Sequence, residues 1–352
     1  MRSRLSLLVA ATLLALSPTA LAQDGAPPPQ AESSDEAGVA EAAADEPTAA
    51  PAAIAAAPLP VELRRDGGQR TALTGLPRIA LVGYNFGAFV HSRVSASSGG
   101  SLFGGGMGAR ARMDFNLVGV DRATLERIAT SAHADLVAQM QAAGIEVVPA
   151  TEVFANGQHA RFLADGGAYE AEPPGTENDL VVVGPEGVGA VTLNGMARTS
   201  IAGNAPVAIA QSTNAILLYP NLALDFVQTG GSGRRALGNR ANVEGEPNVG
   251  VNPISVVQVH YSRGRFLDGW TTLNMREGVW ADEEFASVAQ TSENNNNASV
   301  VISAILGAGM QSSRRSGYDV VADPVAYEAL ALRAARGFNA AIVRQVLAAR
   351  AD

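Results

Sequence analysis

"GARARMDFNLVGVDRATLERIATSAHADLVAQMQAAGIEVVP", residues 108–149, decides the fold. In its first part Arg110, Arg112, Asp114 and Asn116 alternate with Ala109, Ala111, Met113, Phe115 and Leu117. A period of two is that of a β-strand and puts the four polar side chains on one face. From Asp121 the period changes. Leu125, Ile128, Ala132, Leu136 and Met140 form one helical stripe, with Asp121 as cap, Val120 and Leu125 as staple, and Gly144 as terminator. "IEVVP" (145–149) follows at once as a short strand. Strand, helix and strand in this order predict an α/β layer with parallel pairing, the helix lying across the sheet.

Working outward, "PRIALVGYNFGAFV" (77–90) supplies a buried strand at Ile79–Val82. Residues 86–96 offer the hairpin partner of 109–117, and the Gly-rich "SSGGSLFGGGMG" (97–108) is its tip. Towards the C-terminus, "ISVVQVHY" and "GWTTLNMREGVW" read as antiparallel strands joined through "SRGRFLD". "ASVVISAIL" (298–306) suits strand or helix, its β-branched run favouring strand. "YDVVADP" leads into a final helix with Asp323 as cap and Pro324 in the first turn. The expected fold class is α/β: a single domain over 66–352 with a mixed β-sheet, two long helices packed on it and long β-hairpin excursions.

The N-terminal residues predict a compartment. Arg2 and Arg4 precede an apolar run from Leu5 to Leu16, and Ala20-Leu21-Ala22 supplies a small-residue cleavage site. This predicts a signal peptide over 1–22 and an exported protein, in the periplasm, the cell envelope or secreted. Residues 23–65 are expected to be a disordered Ala/Pro/acidic linker, with seven acidic and no basic residues in 23–60. The formal charge is −9; without Arg2 and Arg4 it is −11, of which −4 falls on 61–352. A mildly acidic domain predicts no nucleic-acid partner and no attraction to anionic lipid.

Two absences narrow the chemistry. With no cysteine, disulfides, thiol nucleophiles, thiolate metal ligands and a lipid-bearing Cys are all excluded. All 25 basic residues are arginine, which excludes Schiff-base lysines, a phosphate-loop lysine and a serine–lysine dyad.

"NDLVVVGPEGVGAVTLNG" (178–195) resembles a cofactor-binding strand and glycine loop. A dinucleotide site needs a helix directly after the glycines, whereas here β-branched residues and an Asn-Gly turn follow. The preferred reading is strand, a turn at 185–187, and strand. His91, His133, His159 and His260 show no metal-ligand spacing, and His133 falls on the exposed side of its helix. "GGSGR" (230–234) lacks the last glycine of a nucleophile elbow. Asp282, Glu283 and Glu284 are clustered carboxylates that suit acid–base work or Ca²⁺, or a solvated turn. No catalytic residue, cofactor or metal ligand is therefore assigned.

The layout of 77–149, with the closing strand and helix from "YDVVADP" onward, resembles the periplasmic α/β domain shared by curli-secretion-channel proteins and the TolB N-terminal type. The chain differs from the curli channel in lacking the lipid-bearing Cys and in placing its Gly-rich hairpin before the first helix. The resemblance implies an envelope assembly role, with amphipathic hairpins that pair into an oligomeric barrel. On that basis Arg110, Arg112, Phe115 and Leu117 mark a candidate assembly hairpin. The principal expectation is a non-enzymatic envelope scaffold, or binding and assembly module, with self-association or an envelope protein as partner. The alternatives are an oligomeric outer-membrane pore or secretion component, whose hairpins would then contact membrane, and a secreted hydrolase using the 282–284 carboxylates.

Overall fold

The computed structural model describes residues 57–66, 73, 77–97, 110–161, 163–164, 167–173, 177–191, 205–234, 240–262, 269–291, 302–305 and 313–351. All of them belong to one compact unit. The expected signal peptide, most of the linker, the 97–108 tip beyond Ser97 and "ENNNN" (293–297) lie outside the described residues.

In chain order the elements are β1 (Arg64–Asp66), β2 (Arg78–Leu81), β3 (Asn85–Ser97), β4 (Arg110–Val118), α1 (Arg122–Ala142), β5 (Glu146–Val147) and α2 (Ala150–Phe154). There follow β6 (Ala168–Ala171), β7 (Asp179–Val183), α3 (Ala205–Thr213), β8 (Ala215–Asp225), β9 (Gln228–Arg234), β10 (Arg240–Glu246) and β11 (Gly250–Val251). The last are β12 (Val256–Tyr261), β13 (Gly269–Asn274), β14 (Val279–Trp280), β15 (Ala286–Gln290), β16 (Ile302–Ile305), β17 (Ser313–Ala322) and α4 (Pro324–Ala351). The class is α/β with a large mixed sheet. Among the described residues no helix is long and apolar enough to cross a membrane.

The main sheet runs β1-β13-β12-β8-β3-β4-β17-β15, and a three-stranded sheet runs β16-β10-β9. β8 is the central strand. One edge pairs in parallel first with β2 (Arg78–Leu81 against Ala215–Leu218) and then with the start of β3 (Asn85–Ala88 against Asn221–Leu224). Pro220 sits at the junction between those two partners, so its missing N–H interrupts neither parallel ladder, while its other edge faces Val257. β3 continues past β8, and its second half pairs with β4, which pairs in parallel with β17.

α1 and α4 pack on each other and on one face of the sheet. The five residues of the α1 stripe, Leu125, Ile128, Ala132, Leu136 and Met140, are all buried there. A buried polar chain ties the layers together. The Tyr84 hydroxyl donates to Asn339 Oδ1 at 3.0 Å, and Asn339 Nδ2 donates to the Ala132 carbonyl and to Asp135 Oδ2, each at 2.8 Å. α3 covers the opposite face, over Leu217 and Tyr219.

The folded part starts earlier than expected. Residues 57–65, assigned from sequence to the linker, form a strap whose Leu59, Val61 and Leu63 are buried in the main core. Arg344 donates to the Val61 carbonyl at 2.7 Å and Gln345 to that of Leu63 at 2.7 Å, so α4 holds the strap. Gly337 lets it approach, because a Cβ there would overlap the Leu59 carbonyl. Each buried aliphatic side chain contributes roughly 1.5–3 kcal/mol, a term invisible in the strap's Ala/Pro composition.

Candidate functional site

The four residues of the candidate assembly hairpin all lie on β4, and the strand sends them to two faces. Arg110 opens the strand, opposite Ser97 of β3 and Ser313 of β17. Arg112 lies on the polar face, its Nε 3.3 Å from Asp114 Oδ1 and its Nη2 3.6 Å from Glu177. Asp114 is the centre of this network, its side chain only 8 % exposed. Arg93 of β3 binds both Asp114 and Glu177, while the two ring nitrogens of His91 lie 3.7 Å from Asp114 and from Asp179. The Asp114 carboxylate thus lies within ion-pair distance of two guanidinium groups, those of Arg93 and Arg112. The network links β7, the segment before it, β3 and β4.

The other face of the hairpin is internal. Phe115 is fully buried and stacks on Tyr318, with ring centroids 5.4 Å apart and planes 24° from parallel. Gly245 of β10 lies against the ring, where a Cβ would overlap it. Leu117 is half-buried against the same core. At Phe115 the apolar side of β4 therefore meets the second, three-stranded sheet.

At the end of β4 the geometry changes character. Gly119, at φ +94°, turns the chain into α1, and a Cβ there would lie 2.9 Å from the Ala322 carbonyl. β17 ends alongside, so α1 and α4 start next to each other. Between their first turns lies a cleft of about 470 Å³ bounded by Val120, Asp121, Thr124 and Arg127 on one side and Pro324, Val325 and Glu328 on the other. Clefts at the carboxyl ends of parallel strands are where α/β folds place ligands.

Both helix starts are already satisfied. Asp121 accepts from the Thr124 N–H at 2.8 Å, and Asp323 from the Val325 and Ala326 N–H groups at 2.8 and 3.2 Å. Hydrogen bonds from Thr124 hold the Asp121 carboxyl below its usual range. Arg127 crosses the cleft to Glu328 at 2.9 Å. With its donors and acceptors paired internally, the cleft has little to offer an anion. Its rim is apolar. Val118 and Val321 are register partners, 42 % and 40 % exposed, and Val325 is 77 % exposed. Of the six large hydrophobic residues exposed among the described residues, Val325 lines the cleft, and Val118 and Val321 lie one and three residues before its lining segments.

The remaining sequence candidates fall elsewhere. After β7 the glycines form a turn: Val188 and Gly189 N–H groups donate to the Pro185 carbonyl at 3.0 Å, with Gly187 and Gly189 at φ +76° and +83°. Asn85 holds the far side of the turn, accepting from the Val191 N–H and donating to its carbonyl. Ala190 and Val191, which follow the glycines, are not helical, and Val191 forms a bridge with Leu163. Residues 230–234 run along β9 against β10. Asp282, Glu283 and Glu284 are exposed, and Glu283 pairs with Arg333 of α4. Among the described residues no group of three acidic or histidine side chains is arranged to hold a metal.

The histidines are distributed over separate parts of the fold. His133, expected on the exposed side of α1, is partly buried against Tyr84, 6.4 Å between ring centroids, and burial lowers its pKa. His159 is buried with Nε2 2.6 Å from the Val82 carbonyl. His260 lies on β12 against the Tyr219 ring. Sequence reasoning missed the valine rim and the Asp114 network. A valine run at a strand end reads as core, and only the neighbouring strand and helix show which valines stay outside.

No family model matches the chain, and no curated protein or solved structure is significantly similar to it.

Proposed function

We propose that this protein is an exported cell-envelope module without catalytic activity of its own, which binds a protein partner or a second copy through the cleft between α1 and α4. The observation that carries the reading is the valine rim. Val118, Val321 and Val325 keep apolar surface in water beside a preformed cleft, and burying such side chains on a partner contributes roughly 1.5–3 kcal/mol each when complete. The commitment of Asp114 to Arg93 and Arg112, and of Glu283 to Arg333, supports a non-enzymatic reading over a hydrolase. The burial of Phe115 against Tyr318 and β10 supports a packed β-lobe over a barrel wall, which would need that stripe facing lipid.

The test is a photo-crosslinking residue placed at Val325 in the producing cell, with Leu347 on the far end of α4 as control. The reading expects one discrete crosslinked species from Val325 and none from Leu347. Absence of any product from Val325 would contradict it.

A further inference from the structure

On the opposite face of the sheet, α3 covers β8 and reaches β12, but β13 lies beyond it. The side chains pointing to this face are set by strand alternation: Val256, Gln258 and His260 on β12, and Trp270, Thr272 and Asn274 on β13, with the half-buried Val256 opposite Asn274 at the end away from Trp270. His260 stands directly opposite Trp270, and Gln258 opposite Thr272. The alternate residues Val257, Val259, Tyr261 and Leu273 fill the main core. Trp270 is 53 % exposed, whereas its neighbours on this face are half-buried. A wide indole thus stands at the end of a row of amide and hydroxyl groups.

We infer that this face is a binding platform for an uncharged, acetamido-bearing sugar chain, with Trp270 stacking on a sugar ring and Gln258, Thr272 and Asn274 serving its polar groups. Charge is the first argument. The three polar side chains carry none, and the edge strand β1 adds Arg64 and Asp66, one of each sign, beside Asn274 and Thr272. Burial pushes the His260 pKa down to about 4, so its ring is neutral at physiological pH. A neutral platform suits a neutral ligand better than an anion or a basic peptide.

Shape is the second argument. The axial C–H groups of a pyranose make an apolar patch of ring size, which an exposed indole matches, while its equatorial hydroxyl and acetamido groups need donors and acceptors alongside. The amides of Gln258 and Asn274 offer both. Thr272 is fixed in place, donating to the Asp66 carbonyl at 2.7 Å and accepting from Asn274 Nδ2 at 3.2 Å. A lipid surface would instead call for exposed aliphatic side chains around the indole. Among the described residues the exposed aliphatic nearest to it in sequence, Ile254, precedes the far end of β12, roughly 20 Å away at strand rise. This platform is independent of the valine-rimmed cleft.

The chain has two tryptophans, so W280F leaves Trp270 as sole indole reporter. Titrating that variant with the N-acetylglucosamine tetramer is expected to give a saturable change in indole emission. Calorimetry on the otherwise wild-type chain is expected to show roughly tenfold or more weaker binding in W270A, about the value of one stacking contact. W270A should fold, because the ring is half outside the protein; Q258A is the second variant, expected to weaken binding without touching the indole. An unchanged emission spectrum up to the sugar's solubility would overturn the inference. So would a blue shift on phosphatidylglycerol vesicles with none on the sugar, or equal affinity in W270A and wild type.

Discussion

Phe115 of β4 and Tyr318 of β17 are register partners on parallel strands, and their rings stack 5.4 Å apart beneath Gly245 of the second sheet. One aromatic pair therefore joins the hairpin to the C-terminal strand, and its Phe115 ring meets the smaller sheet at Gly245. Phe115→Ala should lower stability by about 3–5 kcal/mol, as for other fully buried phenylalanines. Gly245→Ala, which drives a methyl group into the ring, should cost about 1–3 kcal/mol alone and much less in the Phe115→Ala background. Urea unfolding of the two single variants and the double variant measures this coupling. Additive losses would mean that the sheets do not meet at this pair.

Asp225, at the end of β8, carries a pH dependence of known sign. Burial raises its carboxyl pKa to about 6, against partial compensation from Asn252 and the Phe226 and Val227 N–H groups. A raised folded-state pKa means the native chain holds the proton longer than the unfolded one. The stabilisation is fully present below the unfolded value of 3.8 and is lost as pH rises through about 6. A shift of about two units corresponds to at most about 3 kcal/mol. Asp225→Asn should flatten that part of the stability–pH curve; identical slopes in variant and wild type would show that Asp225 does not titrate there.

The Asp114 network predicts an asymmetry between two carboxylates that contact the same histidine. Asp114→Ala removes the buried partner of Arg93 and Arg112, which keep the exposed Glu177, and should cost about 1–3 kcal/mol. Asp179→Ala removes a 67 % exposed partner of His91 and should change stability by less than about 1 kcal/mol. Thermal melts of the two variants decide this. Equal losses would place the structural weight on His91 instead.

Val325→Asp separates binding from folding. The side chain is 77 % exposed, so the substitution should leave stability within about 0.5 kcal/mol, yet it puts a charge on the cleft rim and should abolish crosslinking from a photo-reactive residue at Val321. A variant that crosslinks as well as wild type would remove the cleft from the interface.

The α/β class was legible in the sequence because the period changes from two in 109–117 to the helical stripe of Leu125–Met140 within a few residues. That information is local. The sheet order was not legible, because β8 owes its central place to partners far away in sequence, and Pro220 reads as a breaker until the junction between β2 and β3 is seen beside it. The strap at 57–65 was hidden by its composition. Leu59, Val61 and Leu63 alternate, but three aliphatics among prolines and charged residues, next to an Ala/Pro-rich stretch, reveal a role only once Gly337 of α4 opens room for them. For the site, the alternation in the hairpin was readable, while the covering of its apolar face by β10 and the exposure of Val325 depend on contacts between distant segments.

The most direct measurement is the mass of the purified protein by light scattering, with and without mild detergent. A packed, non-pore module predicts the same small mass in both conditions, because the Phe115 face is already covered by its own second sheet. A large, discrete oligomer that forms only in detergent would contradict this and make the hairpin a membrane strand.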